Sequence, residues 1–239
     1  GGAAASALTT ESQNVAIGSS ALGTATNASN VIAIGHRAAV ALSHGDSSGT
    51  IAIGALALEG ATGSHSRNIA IGYRAIRNAT TNVAGATALG YEAMYSNTDN
   101  TGNIAIGFYA MRDGTGGSSR DYNIAIGNEA MRNANAHVSV AIGYTAGKFI
   151  KDGGTGVTTI GHSAGTFASG SANTFMGYQA GKGGTTSAPY SSGTHNVAIG
   201  YQAFTSFTTG VNNTIVGREA GRDMTTGTGN TLLGNAAGD

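Results

Sequence analysis

Few residues in this chain are of the types that perform catalysis, and their spacing argues against it. There is no cysteine, and no Gly-x-Ser-x-Gly sequence marks a serine nucleophile. A pair of acidic residues in one spacer, Asp113 and Asp121, could hydrolyse a glycan in principle, but a solvated loop is the simpler interpretation. The six histidines lack the spacing of metal ligands: His36, His44, His65, His137, His162 and His195. The sequence therefore predicts no enzymatic activity, no cofactor and no bound metal.

Aromatic residues or histidines recur directly after regularly spaced glycines. These residues are His36, Tyr73, Tyr91, Phe108, Tyr144, His162, Tyr178 and Tyr201. In a repeating structure, side chains at equivalent positions form a stripe. A stripe of aromatic rings could hold sugar rings, or it could shield one corner of the structure from water. The sequence leaves both interpretations open and favours shielding.

Other candidate contacts lie in the polar spacers between repeats, because loops on a rigid scaffold commonly carry recognition. The longest spacer runs from Gly181 to His195 and contains the single proline. We select Tyr190, His195, Arg120 and Tyr122 as candidate ligand contacts.

The element that must position these residues is a repeat, Asn-φ-Ala-φ-Gly-x-x-Ala, in which φ is a branched apolar residue. Thirteen copies occur, some with other residues at the Asn, φ or first Ala position, and 16 to 23 residues separate successive glycines. The glycines are Gly18, Gly35, Gly54, Gly72, Gly90, Gly107, Gly127, Gly143, Gly161, Gly177, Gly200, Gly217 and Gly234. A fixed motif with variable spacers predicts an all-β solenoid of about 13 coils, with residues 1–239 in a single domain. The character of the repeat changes near residue 147.

Each position of the motif has a physical role, as the copy around Gly107 illustrates. Ile104 and Ile106 share one face of a short strand, and Ala105 points to the other. Gly107 ends the strand where a tight turn is needed. Asn103 opens the strand, and equivalent asparagines in successive coils can form a hydrogen-bonded ladder. The residues after the glycine are expected to lead into a second short strand.

Both faces of this strand are apolar, whereas a strand with one exposed face normally alternates apolar and polar residues. We predict that the branched residues fill the interior and that the small residues form an outward stripe. A stripe of this extent exceeds what a monomer usually exposes, so identical chains are expected to pack along it. The predicted interface comprises Ala16, Ala33, Ala52, Ala70, Ala105, Ala125, Ala141, Phe175, Ala198, Ile215 and Leu232.

The overall composition excludes several classes of function. Lys plus Arg and Asp plus Glu are both 12, and the net charge of zero argues against electrostatic binding of nucleic acid. The sequence contains no run of 18 apolar residues, so it predicts no membrane-spanning helix. The 40 glycines have no Gly-X-Y period, which excludes collagen, and 40% hydrophobic residues argue against disorder.

Two sets of motifs resemble known fibre proteins. Asn14-Val15-Ala16-Ile17-Gly18 resembles the head repeats of YadA-like trimeric adhesins, and Asn213-Thr214-Ile215-Val216-Gly217 looks more like repeats of phage tail fibres. The resemblance covers nearly the whole chain and implies a left-handed parallel β-roll with three chains side by side. It also implies an extracellular location, on a virion tail fibre or a bacterial surface. The coils are longer than in the adhesins, and the sequence shows no neck, stalk or membrane anchor.

These observations predict a homotrimeric fibre protein that binds a host cell-surface glycan or protein. One alternative is a purely structural shaft that binds no receptor. A second alternative, from a different class, is a glycan-degrading tailspike.

Overall fold

The computed structural model describes residues 2–8, 13–26, 28–42, 48–60, 65–79, 83–96, 101–114, 120–151, 154–184, 187 and 190–238. The chain divides into two compact units, Gly1–Tyr122 and Asn123–Asp239. Each unit is a parallel β-solenoid, and the described residues contain no helix. The all-β parallel solenoid predicted from the repeat is confirmed, with about 11 turns where about 13 coils were expected.

Thirteen strands of three residues each coincide with the thirteen copies of the motif. The first unit contains β1 (Val15–Ile17), β2 (Ile32–Ile34), β3 (Ile51–Ile53), β4 (Ile69–Ile71), β5 (Thr87–Leu89) and β6 (Ile104–Ile106). The second contains β7 (Ile124–Ile126), β8 (Val140–Ile142), β9 (Thr158–Ile160), β10 (Thr174–Met176), β11 (Val197–Ile199), β12 (Thr214–Val216) and β13 (Thr231–Leu233). Within each unit, successive strands pair in parallel and in register, as where Ala52 lies opposite Ala70.

The expected second strand after the glycine is absent from the described residues, and a turn takes its place. The second and fourth residues after each glycine have positive φ, for example 59° at Tyr109 and 51° at Met111. Such values lie outside the strand region, so the chain bends here. Hydrogen bonds still join the coils across the turn, because the N–H of Ile76 donates to the carbonyl of Ala93 at 3.0 Å.

The two strand faces point in the opposite directions to those predicted. Ala105 is fully buried within the single chain, whereas Ile104 and Ile106 remain partly exposed. The same holds for most of the predicted interface, whose side chains are 0% exposed: Ala33, Ala52, Ala70, Ala105, Ala125, Ala141, Phe175, Ala198 and Ile215. Ala16 in β1 and Leu232 in β13 are partly buried. The assignment of these residues to an interface between chains is therefore wrong, since they line the interior of the coil.

Volume decides which face is inside, because a second side chain shares the same narrow interior. It belongs to the fourth residue after the motif glycine, such as Leu58, Ile76, Met94 or Met131, each of which is at most 1% exposed. An alanine at the middle of the strand leaves room for this larger side chain. Close packing of protein interiors requires that the two volumes together match the space available.

In several coils beyond residue 147, volume is exchanged between these two positions. Phe175 occupies the middle of β10, and the fourth residue after its glycine is Gly181. A Cβ on Gly181 would lie 2.2 Å from the ring of Phe175, and a Cβ on Gly165 would lie 2.4 Å from Cγ2 of Thr159. A large residue in the strand is therefore matched by glycine in the turn.

The predicted asparagine ladder is present at the entrance to the strands. In the second unit, Oδ1 of Asn173 accepts a hydrogen bond from the backbone N–H of Asn196 at 2.9 Å and from its Nδ2 at 3.1 Å. Asn213 repeats this on Asn196, and Asn230 repeats it on Asn213. These buried amides satisfy backbone groups at the corner of each coil, which would otherwise be buried without partners.

The exchange of volume makes a double substitution testable in β10. Phe175→Ala alone leaves a cavity and should lower the free energy of unfolding by about 3–5 kcal/mol. Gly181→Met alone should also destabilise, because the new side chain overlaps the Phe175 ring. Combined, the two substitutions reproduce the Ala125 and Met131 pair of another coil and should recover at least half of the loss.

Chemical denaturation of the four proteins measures this coupling. Simple addition of the two single effects in the double variant would contradict the exchange of volume.

Candidate functional site

The conspicuous side chains on the surface are two columns of stacked rings. Column 1 consists of Tyr73, Tyr91 and Phe108, with ring centroids 5.3 and 5.2 Å apart. Column 2 consists of Tyr144, His162, Tyr178 and Tyr201, with separations of 4.9, 5.1 and 5.1 Å. The residue after each motif glycine lies directly above its equivalent in the next coil, as the sequence predicts.

The stacking limits what these columns can bind. A sugar ring packs against the face of an aromatic ring, but the faces inside a column are covered by neighbouring rings. One end of each column carries a cation, since the guanidinium carbon of Arg74 lies 4.8 Å from the Tyr73 centroid and that of Arg218 lies 5.9 Å from Tyr201. Mainly ring edges and hydroxyl groups remain available. This geometry favours the shielding interpretation. Ala55 occupies the equivalent position in the coil between His36 and Tyr73, so column 1 does not extend to His36.

A network of ion pairs lies on the first unit. Glu92, which is 2% exposed, binds Arg74 at 3.1 Å and Arg112 at 2.5 Å. Burial alone would raise the pKa of Glu92, but hydrogen bonds from Arg112 and Arg74 outweigh it, and the pKa is lowered. In the second unit, Glu129 has a lowered pKa for the same reason, through Lys148 and Arg132. The pairs of Glu92 with Arg74 and Arg112 and of Glu129 with Lys148 connect neighbouring coils.

The four candidate ligand contacts are divided between the two units. Arg120 is only 3% exposed, and burial lowers its pKa. It has almost no surface to offer a ligand. Tyr122 is 60% exposed, with its ring beside Gly102, and both belong to the first unit. His195 in the second unit is exposed, and its Nδ1 lies 3.0 Å from Oγ1 of Thr194.

Tyr190, the fourth candidate, belongs to a small aromatic cluster that the sequence analysis missed. Its ring centroid lies 5.1 Å from that of Phe149 and 6.2 Å from that of Phe167, and the two phenylalanines are 5.5 Å apart. Tyr190 thus anchors the end of the longest spacer on preceding coils. The available signal was that each phenylalanine is the sixth residue after its motif glycine, Gly143 or Gly161.

The acidic pair considered for glycan hydrolysis is occupied by structural contacts. Asp113 forms an ion pair with Arg112 at 2.5 Å, and Oδ1 of Asp121 accepts a hydrogen bond from the N–H of Thr101 at 2.7 Å. Hydroxyl groups and one arginine line a shallow groove of about 330 Å³, bounded by Ala3, Ser6, Ser20, Gly23, Thr24, Arg37 and Val40.

Over the described ranges, no three His, Cys, Asp or Glu side chains lie together in a way that could hold a metal ion. His44 lies outside those ranges. No helix capable of crossing a membrane occurs in the same residues.

Comparison of the chain with protein-family models, with curated proteins and with solved structures finds no match. The site therefore has to be interpreted from its own geometry.

The ion pairs of Glu92 predict a pH dependence of stability. Because its pKa is lowered on folding, the carboxylate stabilises the native state above its ordinary pKa of 4.5, and this stabilisation disappears as the pH falls below that value. Glu92→Gln should lower the free energy of unfolding by about 1–3 kcal/mol at neutral pH. The difference from the unsubstituted protein should shrink at about pH 3.

Thermal melts of both proteins across this pH range provide the measurement. Asp223→Asn removes a pair whose carboxylate is 69% exposed, and as a control it should change stability by less than about 1 kcal/mol. An equal loss at both pH values for Glu92→Gln would contradict the assignment.

Proposed function

We propose that this chain forms a segment of a homotrimeric extracellular fibre that binds a cell-surface glycan or protein. Each chain is wound as a left-handed parallel β-roll. The fibre belongs to a phage tail or to a bacterial surface adhesin. The observation that carries this proposal is the outward face of the strands.

The outward face is apolar and carries no charge. Every first and third strand position is Ile, Val, Leu, Met or Thr. Most of these side chains are partly exposed in the single chain, and Ile17 and Met176 reach 58% and 41%. Soluble monomers rarely expose a contiguous apolar surface of this kind. A partner that covers the face would remove the remaining apolar area from water.

A second copy of the same chain fits this face. The third strand position is apolar in all thirteen strands, whereas the first position is Thr in β5, β9, β10, β12 and β13. Copies aligned in the same direction would place threonines beside threonines and branched apolar residues beside one another. Closed symmetric assemblies are the usual form of such self-association. This arrangement uses the branched residues, in place of the alanines that line the interior.

Receptor binding then falls to the exposed side chains at the corners and spacers, of which Tyr122 and His195 are the remaining candidates. A structural shaft without receptor binding is the second candidate function. It is favoured by the burial of Arg120 and the packing of Tyr190 against Phe149, which remove two of the four proposed contacts.

The self-association is tested by a charge on the outward face. Ile199→Asp should leave the single chain folded, because this side chain is only partly buried, but it should place a charge between chains. We expect light scattering to give three times 23.5 kDa for the unsubstituted protein and 23.5 kDa for the variant.

Thr225→Asp, an exposed substitution in a spacer, is the matched control and should keep the larger mass. A folded unsubstituted protein with the mass of one chain would refute the trimer, and with it this form of the fibre.

Receptor binding is tested on an array of cell-surface glycans with the labelled protein. Binding is expected, and Tyr122→Ala or His195→Ala should weaken it by about threefold to tenfold, the range that loss of one aromatic contact produces. Thr225→Ala serves as the control and should bind normally. Absence of binding both to the array and to intact host cells would support the structural shaft.

A further inference from the structure

Tyr178 and Tyr201 form the most nearly parallel pair of tyrosines in column 2. Their ring centroids are 5.1 Å apart, and their planes differ by 9°. Both rings are accessible, at 40% and 46% exposure. The two residues occupy the same position in successive coils, directly after Gly177 and Gly200.

The scaffold holds these rings together independently of their own attraction. The N–H of Gln202 donates to the carbonyl of Tyr178 at 2.8 Å, so the coils are joined at this point. The neighbouring side chains are also connected, because Nε2 of Gln202 donates to Oε1 of Gln179 at 3.1 Å. The two phenols are therefore at an effective concentration far above that of free partners in solution.

We propose that Tyr178 and Tyr201 are a site of oxidative cross-linking, at which a one-electron oxidant such as a haem peroxidase with hydrogen peroxide joins the rings as dityrosine. Each phenol loses one electron and one proton to give a phenoxyl radical. The two radicals form a carbon–carbon bond between ring positions ortho to the oxygens, and the ring hydrogens move to the oxygens to restore both phenols. Two tyrosines and one hydrogen peroxide thus give one dityrosine and two waters.

The cross-link would connect two coils of a chain that contains no cysteine and therefore no disulfide. It would enclose the longest spacer, which lies between the two tyrosines. Constraining a loop in this way lowers the entropy of the unfolded chain, as a disulfide does. Tyr73 and Tyr91 in column 1 form a second pair of the same kind, with centroids 5.3 Å apart and planes 26° apart. Its poorer alignment makes it the weaker site.

The experiment treats the purified protein with a haem peroxidase and hydrogen peroxide and then digests it with trypsin. Lys182 separates the two tyrosines, so cleavage places them in different peptides, 152–182 and 183–218. We expect these peptides to be recovered as one species whose mass is smaller than the sum of the two peptide masses by two hydrogen atoms. Fragmentation should locate the link at Tyr178 and Tyr201, and the cross-linked protein should melt at a higher temperature.

Three comparisons decide the outcome. Tyr201→Phe keeps a ring in the column but removes the phenol, and it should abolish the cross-linked species, whereas Tyr190→Phe should not. In a mixture of unlabelled and ¹⁵N-labelled protein, the two peptides of each linked pair should be either both unlabelled or both labelled. Tyr122 is more exposed, at 60%, but no other tyrosine ring stacks on it in the described structure. Preferential linkage through Tyr122, or linked pairs of mixed label, would overturn the proposal.

Discussion

The separation between successive coils is the constraint on which the rest of the structure depends. A Cβ on Gly72 would lie 2.4 Å from the carbonyl oxygen of Gly90, and one on Gly143 would lie 2.4 Å from that of Gly161. The motif glycines have φ between 126° and 144°, where other residues are strained. Each of these coils can therefore rest on the next only because it carries glycine at the point of contact. This contact fixes the register of each unit and places every residue above its equivalent in the neighbouring coil.

Stacking of equivalent positions explains which residues the remaining columns contain. Aromatic rings and asparagine amides gain from lying above their own kind, and they do so in column 2 and in the ladder from Asn173. Like charges at equivalent positions would repel, so they are separated by another residue or neutralised by a glutamate, as Glu129 neutralises Arg132 and Lys148. Arg77 and Arg112 occupy equivalent positions with Tyr95 between them, and both guanidinium groups lie over its ring, at 5.9 and 5.1 Å. Glu59 and Glu92 neutralise these arginines from adjacent coils.

The sequence was sufficient to predict every feature that depends on period alone. Strand positions, parallel pairing, the aromatic columns and the asparagine ladder all follow from equivalent residues at matching places. Period alone does not show which strand face points inward, because both faces are apolar. It depends on volume: Ala125 fits beside Met131, and Phe175 fits beside Gly181. The paired sizes are visible in the sequence, but their meaning depends on knowing that the turn residue also points inward. Burial of Arg120 and packing of Tyr190 were likewise beyond prediction, since each depends on how a single spacer folds.

The same construction separates the variable parts of the chain from the constant ones. Spacers differ in length, yet the coils that begin with asparagine return to register, because this asparagine binds the end of the spacer that follows. Nδ2 of Asn173 donates to the carbonyl of Gly193 at 2.8 Å, and Nδ2 of Asn196 donates to that of Gly210 at 2.8 Å. The longest spacer adds a second anchor, in which Tyr190 packs on Phe149 and the N–H of Ser191 donates to the carbonyl of Phe167 at 3.0 Å. Residues between such anchors can change without disturbing the outward strand face. Under the proposed function, such changes would alter the recognition surface and keep the surface along which the chains associate.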